Sequence, residues 1–569
     1  MFNLSSFPPP AAVVRILLAI LLLVFRLSAQ AQAPAWQSAR TVAAATAAAA
    51  SNYSIVTATA VDAAGNVYLA GSFTNSVVLG GTTLTSLGER DVFVAKFNPA
   101  SNQFVWAQRA GGTGNDEATA LVVSGSSVYM AGTLNSATAG FGPTTLTSAG
   151  ASEVFVAKLT DAGGTGSFAW AQQAGGTGSD YAFALAVSGT SVYVAGFFDS
   201  PTAGFGAITL VNAGAFDVFV AKLTDAGSTG SFAWAQRAGG TGFDQATALA
   251  VSGTSVYVAG GIASPAAGFG PATLASAGAY DVFVAKLTDA GPTGSFAWAQ
   301  RAGGTGYDAG TALAVSGTSV YVAGEFRSST AGFGPTTLAT AGASDVFVAK
   351  LTDAGSTGSF TWAQRAGGTG NDFAGALAVS GTSVYVAGTF DSLAAGFGPA
   401  ALTTAGAGDV FVAKLTDAGS TGSFAWAQRA GGTNLDGASA LAVSGASVYV
   451  AGAFFSPTAG FSPTTLSNPN ANTSLGYLAA LTDPTLTATA AARALAPAQL
   501  FPNPARRTAT LRLPAGAAPA PLTLTDALGR AVRRYPAPAG PEAALDLGGL
   551  PAGLYLLRGA GPARRLVVN

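Results

Sequence analysis

The chain contains no cysteine and no histidine, and only 9% of its 569 residues are charged. Without cysteine there are no disulfides and no thiolate metal sites, so the fold must rest on packing and hydrogen bonds. Without histidine, Ser-His-Asp and Cys-His nucleophile systems, imidazole metal sites and a histidine general base are all excluded. Long apolar runs are scarce as well, although 49% of the residues are hydrophobic. Val, Ala, Phe and Tyr come in short runs broken by Gly, Ser, Thr or Asp, far short of the roughly 20 apolar residues of a membrane helix. A composition with 75 glycines patterned in this way favours strands and turns.

The exception is ILLAILLLVF, Ile16 to Phe25, which follows Arg15 and precedes the small residues of LSAQAQAP. That order describes a secretory signal peptide over residues 1–31, with Ala29 and Ala31 placed for cleavage before Gln32. The expectation is an exported protein.

What the mature chain has in abundance is repetition. Trp106, Trp170, Trp234, Trp298, Trp362 and Trp426 are each 64 residues apart, and VYxAG begins at Val67, Val128, Val192, Val256, Val320, Val384 and Val448. A strand-rich unit recurring at a fixed period implies a solenoid, propeller or array. Each unit reads as four strands, ATALAVS, SVYVAGxF, DVFVAKL and SFAWAQR, bounded by Gly or Asp turns. Neither face of these strands is polar, as expected of a sheet buried on both sides by equivalent neighbours. The last unit stops after GYLAALTD (Gly476 to Asp483) without an FAWAQ strand, whereas AWQSAR around Trp36 precedes the first unit unpaired. The expected fold is therefore all-β, a seven-bladed β-propeller over residues 32–487 with 64-residue blades. Its last blade borrows the N-terminal strand and so hides the open edges.

The run GGTGxD, ALAVSG, VYVAG, DVFVAKL and WA resembles the seven-bladed propeller family known as SBBP repeats, found in exported bacterial proteins. That resemblance implies a fold and no shared activity. From Ala498 the composition changes to LFPNPARRTATLRLPAG, LTDALGRAVRRY, LDLGGLPAGLYLLRG and RRLVVN. This resembles the C-terminal sorting domain of type IX secretion substrates, which implies the type IX machinery as a partner and the outer-membrane surface or the extracellular space as destination. Read from its residues, 498–569 is a small β-sandwich, joined to the repeats by a linker over 488–497.

In an up-and-down blade, the short SGTS and TDAGSTG turns share one face, and the long second-to-third connections share the other with the GGTGxD links. The second face varies between copies and is the expected functional one. The link aspartates Asp116, Asp180, Asp244, Asp308, Asp372 and Asp436 recur in unit after unit and read as a structural ring, each accepting backbone N–H groups in its own glycine-rich turn. The lysines from Lys96 to Lys414 read as structural for the same reason. What departs from the repeat is Glu117, Tyr181, Phe243, Tyr307 and Phe373 beside that Asp, with Asp199, Glu325, Arg327, Asp391 and Phe455 opening the long connections. Aromatic platforms beside carboxylates suit a sugar or peptide ligand. These residues make a ligand-binding set.

Nine arginines face Asp526, Glu542 and Asp546 in 498–569, and Arg15, Arg26 and Arg493 also lie outside the repeats, so the whole-chain charge of −1 leaves about −10 for 32–487. An acidic repeat region without a basic stripe argues against nucleic acid. No metal or cofactor is expected, and the mature chain is expected to be a monomer. The leading functional expectation is a non-enzymatic binding or scaffolding module for a glycan or a surface protein. The alternative is a hydrolase or lyase using a pair of the non-repeat carboxylates.

Overall fold

The computed structural model describes residues 33–569 apart from 43, 46–52, 471–472, 487–498, 502–503, 513–520, 527–529, 539–541 and 560. The signal peptide with Ala29 and Ala31, the linker, and Pro502 and Asn503 of the PNP motif lie outside the described residues. Two compact units divide the chain, one ending at Asp483 and the other spanning Pro484–Asn569.

The first unit is all-β and is built from repeated four-stranded antiparallel sheets. In one of them Ser191–Phe198 pairs with Asp180–Ser188 and with Asp217–Asp225, and Gly230–Ala238 forms the outer strand. The same order recurs in the sheets that begin at Asp116, Asp244, Asp308 and Asp372. Val192 through Phe198 are all buried, as are Asp217 through Leu223. Both faces of the two middle strands are therefore covered, which explains sequences of β-branched and aromatic residues without polar alternation.

The cover comes from the next sheet along the chain. Ala184, Tyr193, Val220 and Trp234 of one sheet share a cluster with Leu249, Val258, Phe283 and Ala299 of its successor. The same packing returns from the end of the unit to its start, where Ala440, Tyr449, Ala451 and Leu478 pack with Val56, Leu69, Phe93 and Ala107. Trp36–Val42 completes the last sheet by pairing with Leu475–Thr482, beside Ser447–Phe454 and Asp436–Ser444.

Two features differ from the sequence reading. Trp36 does not stand where the other tryptophans stand: it is opposite Leu481, whereas Lys222 is opposite Trp234 and Leu223 opposite Phe232. Leu481 matches Leu223 in the strand, so Trp36 takes the place of Phe232 and Ser38 that of Trp234. The Trp36 ring accordingly meets Phe461 edge-on at 5.2 Å, as Phe232 meets Phe205 at 5.5 Å. The long second-to-third connection is also no free loop. It carries a β-hairpin, such as Thr202–Phe205 with Ile208–Val211, whose Gly204 bonds to Gly175 at the end of the preceding sheet. Phe205 is buried against Phe219 and Phe232, which fixes the hairpin to its own sheet.

The second unit holds a three-stranded sheet (Gln499–Phe501, Thr508–Arg512, Glu542–Asp546) and a four-stranded one (Ala531–Tyr535, Leu522–Asp526, Gly553–Gly559, Gly561–Val568). Leu511 and Leu545 of the first and Leu524, Leu557 and Leu566 of the second share one core.

Candidate functional site

Every buried lysine of the first unit stands at a junction between sheets. The hydroxyl of Tyr129, the ammonium of Lys158 and the indole N–H of Trp170, all in one sheet, donate to the carboxylate of Asp225 in the next at 2.6, 2.6 and 3.0 Å. Around Asp289, Asp353 and Asp417 the same three donors recur, and Asp161 receives Tyr68, Lys96 and Trp106. Asp483 receives Tyr385 and Lys414. The Trp170 ring also lies over Gly230, where a Cβ would approach ring carbons to 2.9 Å. Only glycine fits beneath it. Burial pushes the Asp225 carboxyl up, but the bonds from Lys158, Tyr129, Trp170 and the Gly227 N–H outweigh it and hold the group below its ordinary value. The Tyr129 hydroxyl is pushed up to about 12 by burial and by the carboxylate it donates to. These lysines and aspartates are therefore fasteners between sheets. Sequence reading missed the pairing because each lysine meets an aspartate 65 to 69 residues further on.

The link aspartates are buried and saturated. Asp116 accepts the Gly112 N–H at 2.7 Å, the Ser136 hydroxyl at 2.6 Å and the N–H groups of Asn135 and Ser136. Asp180, Asp244, Asp308, Asp372 and Asp436 do the same with Ser200, Ser264, Ser328, Ser392 and Ser456. Burial pushes Asp180, Asp372 and Asp436 up, against the lowering effect of those donors. In the first six repeats a second buried carboxylate stands on the third strand and, except at Glu153, is met by an arginine from the fourth, as in Arg109–Asp91 and Arg237–Asp217. In the sheet where Glu153 takes that place the arginine is Gln173, which bonds to the Thr147 backbone instead. Burial leaves the Glu153 carboxyl raised.

At the end of the sheets bearing the long connections, the structure brings several non-repeat residues together. Tyr181 stacks on Phe197 at 5.1 Å and on Phe183 at 6.3 Å, Phe197 meets Phe216 at 4.8 Å, and Phe216 meets Phe243 at 4.1 Å. In the following repeat Tyr307 stacks on Tyr280 at 4.9 Å, and Arg327 lies over Tyr307 at 4.9 Å and Phe373 at 6.0 Å. Arg327 is held by Glu325 at 3.0 Å, and Glu325 also accepts the Ser344 hydroxyl. Phe243 is 42% exposed, which leaves an aromatic face open to solvent. Phe455 sits in a turn, its N–H bonded to Asp436.

The four candidate carboxylates each have a separate partner, Glu325 in Arg327 and Ser344. Glu117 pairs with Arg90 at 2.5 Å, Asp199 accepts the Ser179 N–H, and Asp391 accepts the Asn371 N–H. Asp199 and Asp391 are thus spent within their own connections. No group of three or more carboxylates able to hold a metal occurs among the described residues. Phe183, Phe197, Phe216 and Tyr280 were missed because they lie on strands or beside them, outside the loop positions where variation was sought. The residue before the third-strand carboxylate, which in the first six repeats runs Arg90, Ser152, Phe216, Tyr280, Ser344 and Gly408, would have shown it.

No protein-family model matches the chain, and no curated protein matches it. Among solved structures it is similar to the Phage phi92 endosialidase, with 10% identity and a TM-score of 0.36 over 78% of this chain and 69% of that one. It is also similar to a protein from Lactobacillus plantarum, with 12% identity and a TM-score of 0.27 over 68% of this chain and 98% of that one. Likenesses at this level carry no functional argument. Over its described residues the molecule is an all-β protein of repeated four-stranded sheets. No helix among the described residues is long and apolar enough to cross a membrane.

Proposed function

We propose that the chain is an exported seven-bladed β-propeller of the SBBP-repeat kind, acting at the cell surface or outside it as a non-enzymatic binding module for a glycan or a surface protein. The observation that carries the binding reading is a pair of aromatic groups on the long-connection rim, Tyr181, Phe216 and Phe243 backed by the buried Phe197, and Tyr307 backed by the buried Tyr280, with Arg327 and Glu325 beside the second. Stacked rings supply contact area at low entropic cost, and the ion pair supplies directional polar groups. The blade count is supported by the recurring sheets and by the packing of the last on the first. Separate engagement of Glu117, Asp199, Glu325 and Asp391 favours binding over hydrolysis.

The test is a glycan and surface-protein screen with the purified protein, followed by titration of the best ligand against Phe243→Ala and Tyr307→Ala. Each substitution is expected to weaken binding about tenfold, the equivalent of ~1.4 kcal/mol. Undiminished binding by both variants would place the ligand elsewhere.

Export by the type IX route rests on the LPAGLYLLR and D-x-x-G-R motifs of the arginine-rich second unit. A chain lacking residues 498–569 is expected to accumulate in the periplasm on cell fractionation. Normal surface delivery of that chain would overturn the sorting assignment.

A further inference from the structure

The Tyr-Lys-Trp-Asp junction recurs between successive sheets, but not where the last sheet meets the first. There Ala480 stands in the register of the lysines and Ser38 in that of the tryptophans, both read from the pairing of Trp36–Val42 with Leu475–Thr482. In the first sheet Phe97 pairs with Phe104 and Asn98 with Gln103, so Pro99 falls where Asp161 stands in the next sheet and Asn102 where Gly166 stands. Only the tyrosine, Tyr449, is retained. Trp36 directs its indole N–H to the Arg429 carbonyl instead.

These replacements leave a cavity of about 180 Å³, partly open to solvent and lined by Ser38, Arg40, Phe97, Pro99, Tyr449 and Ala480 among others. It lies at the end of the sheets that carries the short turns, opposite the aromatic rim. Arg40 occupies the strand position held by Gln236 in the repeat. Its guanidinium lies over the Phe97 ring at 4.1 Å and donates one bond, to the Asn102 carbonyl at 3.2 Å. Every other arginine among the described residues of this unit pairs with a carboxylate. Arg40 pairs with none among the described residues, although burial of its charge is costly enough to lower its pKa.

We propose that this cavity binds a small monocarboxylate with an apolar body, its carboxylate bridging Arg40 and Tyr449 and its body lying on Phe97, Pro99 and Ala480. The ligand's carboxylate then replaces the aspartate that the other junctions supply from within the chain. Guanidinium and phenol hydroxyl together suit a carboxylate, because one offers a fork of N–H donors and the other a single O–H. Phe97, Pro99, Leu478 and Ala480 offer apolar contact to the ligand's body within a lining that is otherwise polar. This site is independent of the aromatic rim, and neither depends on the other being occupied.

The probe is benzoate, with benzamide as the neutral isostere and a short peptide tested as free acid and as C-terminal amide, all read by saturation-transfer NMR on the mature protein. Benzoate is expected to bind saturably and benzamide at least tenfold more weakly. If the natural source is a peptide terminus, the free acid will also bind and the amide will not. Arg40→Gln, which installs the residue found at this register in the repeat, is expected to abolish binding while the melting temperature is kept. Ser38→Trp, which refills the cavity, should do the same by a different route. Failure of benzoate and of the peptide acid to bind would overturn the proposal, as would retention of binding in both variants.

Discussion

Replacing Asp225 by alanine is expected to destabilise the protein by about 3–5 kcal/mol, because Lys158 is left buried with its charge uncompensated and only the Gly227 carbonyl to bond to. Tyr129 and Trp170 lose their acceptor at the same time. Chemical denaturation of wild type and variant checks the value, and a loss under 1 kcal/mol would show that the junction carries little. The double variant Lys158→Met with Asp225→Leu is expected to recover much of the loss, since hydrophobic replacement of both partners removes the unpaired charge.

The effect has a pH signature whose sign follows from the carboxyl being held below its ordinary value of 3.8. A lowered folded-state pKa contributes stability that is fully present above the unfolded value and is lost as pH falls through the folded one. Wild type should therefore keep its advantage over Asp225→Ala from neutral pH down to about pH 4 and lose it below that. An advantage that disappears at pH 6 would mean that another group, not Asp225, sets the difference.

How much of this was legible in the sequence depends on the range of the interaction. The all-β class and the four strands of each unit could be read locally, because VYVAG, DVFVAKL and FAWAQ carry their strand character in five to seven residues. The exchange of the N-terminal strand could be read by counting, since one strand was missing at one end and one was spare at the other. Its register could not be read from the tryptophans. Aligned without a gap, AWQSARTV (35–42) matches SFAWAQRA (231–238) and sets Trp36 on Phe232, an equivalence decided by the socket beside Phe461 and by the strand bulge between Trp36 and Ser38.

The candidate site divides in the same way. Variation marked Tyr181, Phe243, Tyr307, Glu325, Arg327 and Phe373, and the structure gathers them with rings that sequence comparison passed over. Asp199 and Asp391 also vary, yet each is consumed by a backbone N–H in a neighbouring turn. Variation alone does not tell a free carboxylate from one engaged in a turn. The junction carboxylates were hidden for the opposite reason: their constancy concealed that each is bonded across to the previous repeat.

Removing residues 33–42 is expected to abolish cooperative folding of the first unit as a monomer. The strand Trp36–Val42 pairs along Leu475–Thr482 from Val42 opposite Gly476 to Trp36 opposite Leu481. Its loss bares the N–H and C=O groups of an edge whose far side is already engaged with Ser447–Phe454. Trp36 and Val42 are 1% and 0% exposed, so Phe461, which meets the Trp36 ring, would also be uncovered. An open apolar edge recruits a strand from another molecule. The truncated protein is thus expected to elute as dimers or larger species on size-exclusion chromatography, with a broadened melting transition. The single substitution Trp36→Ala is expected to cost about 3–5 kcal/mol by removing a fully buried aromatic while leaving the backbone ladder intact. It should lower the melting temperature without association, because the strand still covers the edge. If the truncated protein instead stays monomeric and melts as sharply as wild type, the last sheet does not depend on the N-terminal strand, and the junction that houses Arg40 would have to be rebuilt from other parts of the chain.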